Sequence, residues 1–142
     1  MELDFNAAEE VTDFVTVPAG TYLCEIAEVR PTETRAGDPR WSMRLVVAEG
    51  EYIGRQAAWD SLVFSLRGRS RARIVFGVLG LPNKGIVDVK PGDLEGRRAF
   101  VEIQPAEFTH ADGTTIRRNE VPYNGYRAVP DQPTESDPPV PF

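Results

Sequence analysis

The feature that most constrains the fold is the order of the segments in which apolar and polar residues alternate. Such alternation is typical of a β-strand that buries one face. It occurs in five segments, which cover residues 18–30, 41–50, 52–64, 97–108 and 115–123. The segment between the third and fourth, residues 65–82, has mixed apolar spacing, a possible N-cap at Ser65 and the helix-ending residues Gly80 and Pro82. The pattern therefore predicts three strands, one helix and two strands.

The connections between these segments support the same order. Residues 31–40 carry a Gly and two Pro and predict a loop, and Asp112-Gly113 predicts a hairpin between the last two strands. A short further strand is possible at Ile86–Val89, and Gly54 with two nearby alanines indicates a bulge or bend in the third strand. Three strands, a helix and two strands is the element order of the OB-fold. We therefore predict a mainly β, OB-fold-like, five-stranded Greek-key barrel with one helix between strands 3 and 4.

The two ends of the chain differ in composition from its centre. The first dozen residues have little apolar periodicity and predict a loose segment or a lone helical turn. From Pro130 onward, prolines and acidic residues dominate, a composition typical of disorder. The predicted organisation is an acidic N-terminal segment (1–16), an OB-fold domain (17–129) and a disordered, acidic, Pro-rich tail (130–142).

Residue types that carry out catalysis are scarce and scattered. The single histidine, His110, falls in a predicted hairpin loop, and the single cysteine, Cys24, falls in the middle of a predicted strand. No group of His, Cys or acidic residues has metal-ligand spacing, and no glycine-rich phosphate loop is followed by Lys and Ser or Thr. We therefore expect a protein that is not an enzyme and needs neither a metal nor a cofactor.

Charge is distributed unevenly along the chain, although the net charge is −6. Five acidic residues lie in residues 1–13 and three in 131–142, and neither segment contains Lys or Arg. Residues 14–130 hold the other 14 acids and all 16 basic residues, 14 of which are Arg. Guanidinium groups stack on bases and bind phosphate in a fork, so the arginine excess favours a nucleic-acid partner, although a codon bias toward Arg explains it equally well.

Aromatic and basic residues are interleaved where an OB-fold binds single strands, namely on strands 2 and 3 and in two adjoining loops. The alternating face that Trp41 shares with Met43 and Leu45 favours a core position for Trp41, whereas Trp59 is as readily exposed as buried. The arginines of the predicted helix, at residues 67, 69, 71 and 73, are typical of a solvated face, and the alternative is a second basic strip that the backbone of a bound strand follows. The predicted DNA-binding residues are Arg35, Arg40, Trp41, Arg44, Arg55, Trp59, Phe108, Arg117, Arg118 and Tyr123.

The last six residues, DPPVPF, resemble the C-terminal tip of bacterial single-stranded DNA-binding proteins. In those proteins an acidic linker ends in an aliphatic residue, Pro and Phe. This chain has one acid near the tip where those proteins have a run of acids, and Pro138-Pro139 intervenes. The resemblance implies a tail that binds replication and repair proteins and competes with DNA for the basic groove. The tail residues that match are Asp137, Val140, Pro141 and Phe142.

Two motifs stand in the body of the chain, a P-x-G-x-Y opening and a strand that ends in V-x-E-G-x-Y-x-G-R. Their residues are Pro18, Gly20, Tyr22, Val47, Glu49, Gly50, Tyr52, Gly54 and Arg55, with DLEGR at 93–97. Over roughly residues 17–128 this pattern resembles a phage and prophage family of small proteins associated with single-stranded DNA binding. The family implies an OB-like barrel that coats single-stranded DNA in replication, recombination or repair.

The sequence thus predicts a single-stranded DNA-binding protein in the cytoplasm of a bacterium or a phage-infected cell. It leaves the oligomeric state open between a monomer and a homo-oligomer. No apolar run approaches membrane-spanning length, so we expect no membrane partner. Two alternatives stay open. One is a protein-interaction or virion-associated β-domain without nucleic-acid binding, and the other is an RNA-binding OB module.

Overall fold

The computed structural model describes residues 11–130, with side chains from residue 13 onward, and this part of the chain is mainly β. Seven strands carry most of the structure, and two helices lie between the fourth and fifth strands. The strands are β1 (Val11–Asp13), β2 (Gly20–Glu33), β3 (Pro39–Val47), β4 (Gln56–Val63), β5 (Arg98–Thr109), β6 (Thr115–Glu120) and β7 (Tyr126–Arg127). The helices are α1 (Arg69–Val78) and α2 (Pro91–Leu94).

The strands form one sheet in the order β1-β6-β5-β2-β3-β4, and β7 pairs with β5 beside that path. All ladders are antiparallel except β1–β6, which is parallel. Within residues 11–130, no ladder joins the outermost strands β1 and β4, so the sheet is open. The β5–β6 hairpin closes through Asp112-Gly113, where Gly113 has φ +88°, a backbone conformation that glycine adopts without strain.

The core lies on one face of the sheet, which we call the inner face. Met43, Leu45 and Leu62 are almost completely buried there, and α1 covers them with Val75 and Phe76. Each fully buried side chain of this size contributes about 1.5–3 kcal/mol relative to an exposed one. Packing against α1 therefore fixes which face of β3 and β4 is buried, and so which face is left outside.

Two bulges decide which side chains point inward. The β2–β3 register shifts between Ile26 and Glu28, which leaves Ala27 without a partner on β3. The β3–β4 register shifts between Leu45 and Val46 and leaves Ala57 unpaired in the same way. A bulge adds one residue to one strand, so the alternation of faces reverses beyond it. The bulge or bend predicted near the two alanines of the third predicted strand, which is β4 in the structure, is therefore confirmed.

A largely buried ion pair ties α1 to the sheet. Arg71 donates from Nη2 to Asp60 Oδ2 at 2.7 Å and from Nη1 to the Ser61 carbonyl at 2.9 Å. Tyr126 donates its hydroxyl to the same Asp60 oxygen at 2.6 Å, and burial raises the pKa of Tyr126 well above its usual value. Arg71 was predicted to lie on a solvated face with the other helix arginines, and for this residue the prediction is wrong.

The five predicted strands and the helix between the third and fourth of them are confirmed, with different limits. The helix begins at Arg69, after a turn in which Gly68 N–H donates to Ser65 Oγ at 3.0 Å, and it ends before Gly80 as predicted. Val11–Asp13, expected to be loose or helical, form β1, and β7 was not predicted. Residues 86–89 contain no strand.

The predicted tail sites at Asp137, Val140, Pro141 and Phe142 lie outside the described residues. None of the helices in residues 11–130 is long and apolar enough to span a membrane.

Candidate nucleic-acid interface

The face of β2, β3 and β4 that points away from the core, here called the outer face, is polar and basic. Strand register places its side chains in rows that cross the three strands. One row joins Glu28, Arg44 and Trp59, and the next joins Arg30, Ser42 and Ser61. These rows bring a tryptophan, two arginines and two hydroxyls together on one surface.

The β5–β6 hairpin lies opposite this face and makes it one wall of a cleft of about 580 Å³. The hairpin contributes Phe108 of β5 and Arg118 of β6, which lie in neighbouring rows of the β5–β6 ladder. Ser42 and Ser61 lie 3.5 Å apart between their hydroxyl oxygens on the opposite wall. The cleft is lined by Arg30, Thr32, Arg40, Ser42, Trp59, Asp60, Ser61, Phe108, Arg118, Asn119, Glu120 and Val121.

Two smaller depressions lie beside the cleft along β4. One, of about 350 Å³, shares Trp59, Arg118 and Asn119 with the cleft and adds Phe14 and Ile116. The other, of about 300 Å³, shares Ser61 and adds Arg67 and Tyr123. Both depressions therefore share lining residues with the cleft along β4.

Each aromatic ring of the cleft carries an arginine. Arg30 Cζ lies 4.8 Å from the centroid of Trp59, and Arg118 Cζ lies 4.4 Å from the centroid of Phe108. Both distances are within the range of a cation–π contact. The cleft thus combines flat apolar rings with cationic groups at the same points, the pairing that base stacking and phosphate binding require.

The two arginines differ in their acidic partners. Glu28 accepts from Arg30 Nε at 2.7 Å and Nη2 at 3.4 Å, and its other contact is Arg44 Nε at 3.4 Å. The hydrogen bond from Arg30 is the main reason that the pKa of Glu28 lies below its usual value. Across residues 13–130, Arg118 has no carboxylate within ion-pair distance.

Asn119 forms the floor where the cleft meets the Phe14 depression. Its Nδ2 donates to the carbonyls of Ala57 at 3.0 Å and Val17 at 3.1 Å, which joins β6 to the edge of β4. The Thr16 hydroxyl donates to the Gln56 carbonyl at the same edge. Side chains thus hold the two walls together at a place where no ladder joins them. The other amide atom of Asn119, Oδ1, is buried without a hydrogen-bond partner among the described residues.

Trp41 does not reach the cleft. Its ring centroid lies 4.7 Å from that of Phe64 in an edge-on arrangement and 6.3 Å from that of Phe76 on α1. It pairs across the ladder with Leu62, which is buried on the inner face. The structure therefore places Trp41 in the packed aromatic cluster beneath the sheet, in the core position that its sequence neighbours favour.

The structure brings only part of the predicted set together. Arg40, Trp59, Phe108 and Arg118 line the cleft, and Arg44 lies beside them in the Trp59 row.

The other predicted residues lie away from the cleft. Arg35 is exposed in the turn between β2 and β3, and Tyr123 lies in the Ser61 depression. Arg55 lies over Tyr52 with Cζ at 5.3 Å from the ring centroid, and Arg117 pairs with Asp13 at 3.1 Å. Neither of these two arginines lines the cleft or its depressions.

Sequence reasoning missed Arg30, Thr32 and Phe14. The bulge at Ala27 turns Arg30 outward, and β2 continues to Glu33, beyond the predicted loop start, which carries Thr32 onto the same outer face. The charged-polar alternation of Glu28, Arg30 and Thr32 was the available signal for a solvated strand face. Phe14 had no comparable signal, because its place beside the cleft depends on β1 pairing with β6.

Residues 13–130 contain no group of three or more His, Cys, Asp or Glu side chains that could hold a metal ion. No protein-family model matches the chain, and no curated protein matches its sequence. Function is therefore argued from the cleft itself.

Proposed function

We propose that this protein binds single-stranded DNA in the cleft between the outer face of β2–β4 and the β5–β6 hairpin. The observation that carries the proposal is the pairing of Trp59 with Arg30 and of Phe108 with Arg118 on facing walls. Unpaired bases expose flat π-faces and a phosphate backbone at once, whereas duplex DNA keeps the faces of its bases stacked and out of reach. A cleft with rings on both walls therefore suits the single strand.

Magnitudes favour a base over an arginine on these rings. A cation–π contact at an exposed site contributes about 0.5–1 kcal/mol, whereas a stacked base contributes about 1–3 kcal/mol. A base can therefore replace the guanidinium, which then lies close to the backbone. Arginine–phosphate contacts would supply the salt-dependent part of the affinity.

We further propose that the sheet is an OB-fold barrel whose closure is made by side chains. The contacts of Asn119 and Thr16 with the β4 edge support this, since they join the strands that a barrel would have to join. Strands β2 to β4 and the β5–β6 hairpin then correspond to the usual OB binding surface. A place in the phage and prophage family of single-stranded DNA-binding proteins follows from the same proposal.

Residues 131–142 complete the proposal as a segment that binds replication or repair proteins. Its support is the DPPVPF sequence and the three acids without a base. Deletion of residues 137–142 should leave the affinity for DNA equal or tighter and should abolish partner binding. A loss of affinity for bare DNA in this deletion would contradict the assignment.

The test is a fluorescence anisotropy titration of the protein into labelled oligo-dT and into a matched duplex. An oligonucleotide of about 30 nucleotides exceeds the roughly 4–16 nucleotides that one OB-fold covers. We expect preference for the single strand and weaker binding when salt rises from about 50 to about 200 mM. Absence of binding at micromolar protein would reject the proposal and favour the protein-interaction domain, whereas preference for oligo-rU would indicate an RNA-binding module.

A further inference from the structure

Trp59 and Phe108 are covered by arginines that are held differently, and this difference points to a function for Glu28. Arg30 is fixed over Trp59 by two contacts with Glu28, at 2.7 and 3.4 Å. Arg118 lies over Phe108 with no carboxylate partner among residues 13–130. The Phe108 ring can therefore be uncovered by a rotamer change, whereas the Trp59 ring can be uncovered only when an ion pair is broken.

Glu28 is also shared by a second cation. Arg44, which neighbours Trp59 across the β3–β4 ladder, approaches Glu28 with Nε at 3.4 Å. Two arginines beside Trp59 are thus partly neutralised by one carboxylate. When phosphate enters the cleft, it competes with Glu28 for both guanidinium groups, because each oxyanion offers the same fork of acceptors.

We propose that Glu28 and Arg30 form a latch that covers Trp59 in the free protein and that single-stranded DNA opens it. In the bound state a base occupies the Trp59 ring, and Arg30 moves from Glu28 to a backbone phosphate. Glu28 is then a positioning residue, and Arg30 is a DNA-binding residue. This inference rests on the proposed function for its bound state and on the contacts of the free protein for its closed state.

The closed state predicts opposite effects for the two partners. Glu28→Gln frees Arg30 and should tighten oligo-dT binding by up to about fivefold, the fold-change that corresponds to the loss of one exposed ion pair in the free protein. Arg30→Gln uncovers Trp59 but removes a phosphate ligand. It should weaken binding and reduce the slope of log affinity against log salt by about 1.

Glu120→Gln is the matched control for charge, since Glu120 lines the same cleft. Any gain that comes only from the loss of a negative charge appears in this variant as well. In the Arg30→Gln background, the gain from Glu28→Gln should fall toward the Glu120→Gln gain, because only the longer contact of Glu28 with Arg44 remains to be lost. An equal gain from Glu28→Gln with and without Arg30, or tighter binding by Arg30→Gln alone, would overturn the latch.

The closed state is tested without DNA by fluorine NMR on protein labelled with 5-fluorotryptophan. Loss of one signal in Trp59→Phe assigns the two resonances. We expect Glu28→Gln and Arg30→Gln to shift the Trp59 signal and leave the Trp41 signal in place, and Glu120→Gln to shift neither. An unmoved Trp59 signal in both variants would overturn the closed state, whether or not the protein binds oligo-dT. Lack of oligo-dT binding with the expected shifts would instead reject the proposed function and the DNA-bound half of the inference.

Discussion

Trp41 and Trp59 lie on neighbouring strands of the same sheet and face opposite environments. Trp41 packs against Phe64 and Phe76 on the inner face, whereas Trp59 lies in the cleft under Arg30. Both residues lie among arginines in a predicted strand, but only Trp41 has alternating apolar neighbours that favour a core position. The structure agrees for Trp41, whereas the place of Trp59 in the cleft is decided by the register of β4 against β3, which the neighbours of Trp59 do not encode.

The same division extends to the acidic residues beside the tryptophans. Asp60 follows Trp59 in β4, points inward and holds Arg71 and Tyr126. Glu28 points outward and holds Arg30 and Arg44. Asp60 therefore ties α1 and β7 to the sheet, whereas Glu28 holds arginines of the cleft. The predictions below separate these two functions.

The largest effect is expected at the inner ion pair. Arg71→Met leaves the Asp60 carboxylate largely buried without its cation, and such losses cost about 3–5 kcal/mol of unfolding free energy. Arg73→Met on the exposed side of the same helix is the control and should change stability by about 0.5 kcal/mol or less. Urea denaturation measures both, and equal losses would show that the Asp60–Arg71 pair has no special contribution.

The next largest effect is expected when stability and DNA affinity are measured for an alanine variant of each tryptophan. Trp41→Ala should cost about 3 kcal/mol of stability, at the lower end for a core tryptophan because its ring is half-buried. The folded fraction should keep its affinity for oligo-dT.

Trp59→Ala should show the reverse pattern. Loss of one stacked base corresponds to about 1–3 kcal/mol of binding free energy, and the fold should lose less stability than in Trp41→Ala. Calorimetric melting and anisotropy titration of both variants provide the comparison. If both variants lost affinity equally, stacking could not be assigned to the outer face.

The local sequence predicts the elements of the sheet but not which face some of their side chains occupy. The strands, the helix and the Asp112-Gly113 hairpin follow from local alternation and turn chemistry, which depend on neighbouring residues alone. The outward position of Glu28 and Arg30 does not follow from local alternation, because strict alternation from Cys24 and Ile26 would put both side chains in the core. The bulge at Ala27 reverses the faces, and it is specified by pairing with β3 and not by β2 itself.

The same limit applies to the far wall of the cleft. Phe108 and Arg118 were predicted as binding residues from their chemistry, but their contact across the ladder depends on the hairpin register. Asn119 gave no signal at all, because its donors bind carbonyls of β4 and of the segment before β2, far away in sequence.

A smaller effect is expected from pH on the inner face. Burial raises the pKa of the Cys24 thiol from 9.0 to about 12. Because the folded state disfavours the thiolate, this contribution to stability is complete below pH 9.0 and is lost as pH rises toward about 12. The loss by pH 10 should be about 1 kcal/mol, and Cys24→Ala should remove it from the dependence of stability on pH. The same dependence in both proteins would contradict the assignment to Cys24.

The smallest effect separates two adjacent arginines of β6. Arg118→Gln should lower the salt slope of oligo-dT binding by about 1, because it removes one phosphate ligand from the cleft. Arg117→Gln should leave the slope unchanged, since Arg117 pairs with Asp13 away from the cleft. Equal salt slopes for the two variants would show that an arginine of β6 contributes to DNA binding whichever face of the strand it lies on.

The central claim is that single-stranded DNA occupies the cleft, and photo-crosslinking tests it most directly. An oligo-dT that carries 4-thiothymidine is irradiated with the full chain, and the crosslinked peptides are mapped by mass spectrometry. We predict crosslinks to the peptides that carry Trp59 and Phe108, and their loss in the presence of excess unlabelled oligo-dT. Crosslinks confined to another surface, such as that around Tyr22 and Tyr52, would contradict the account.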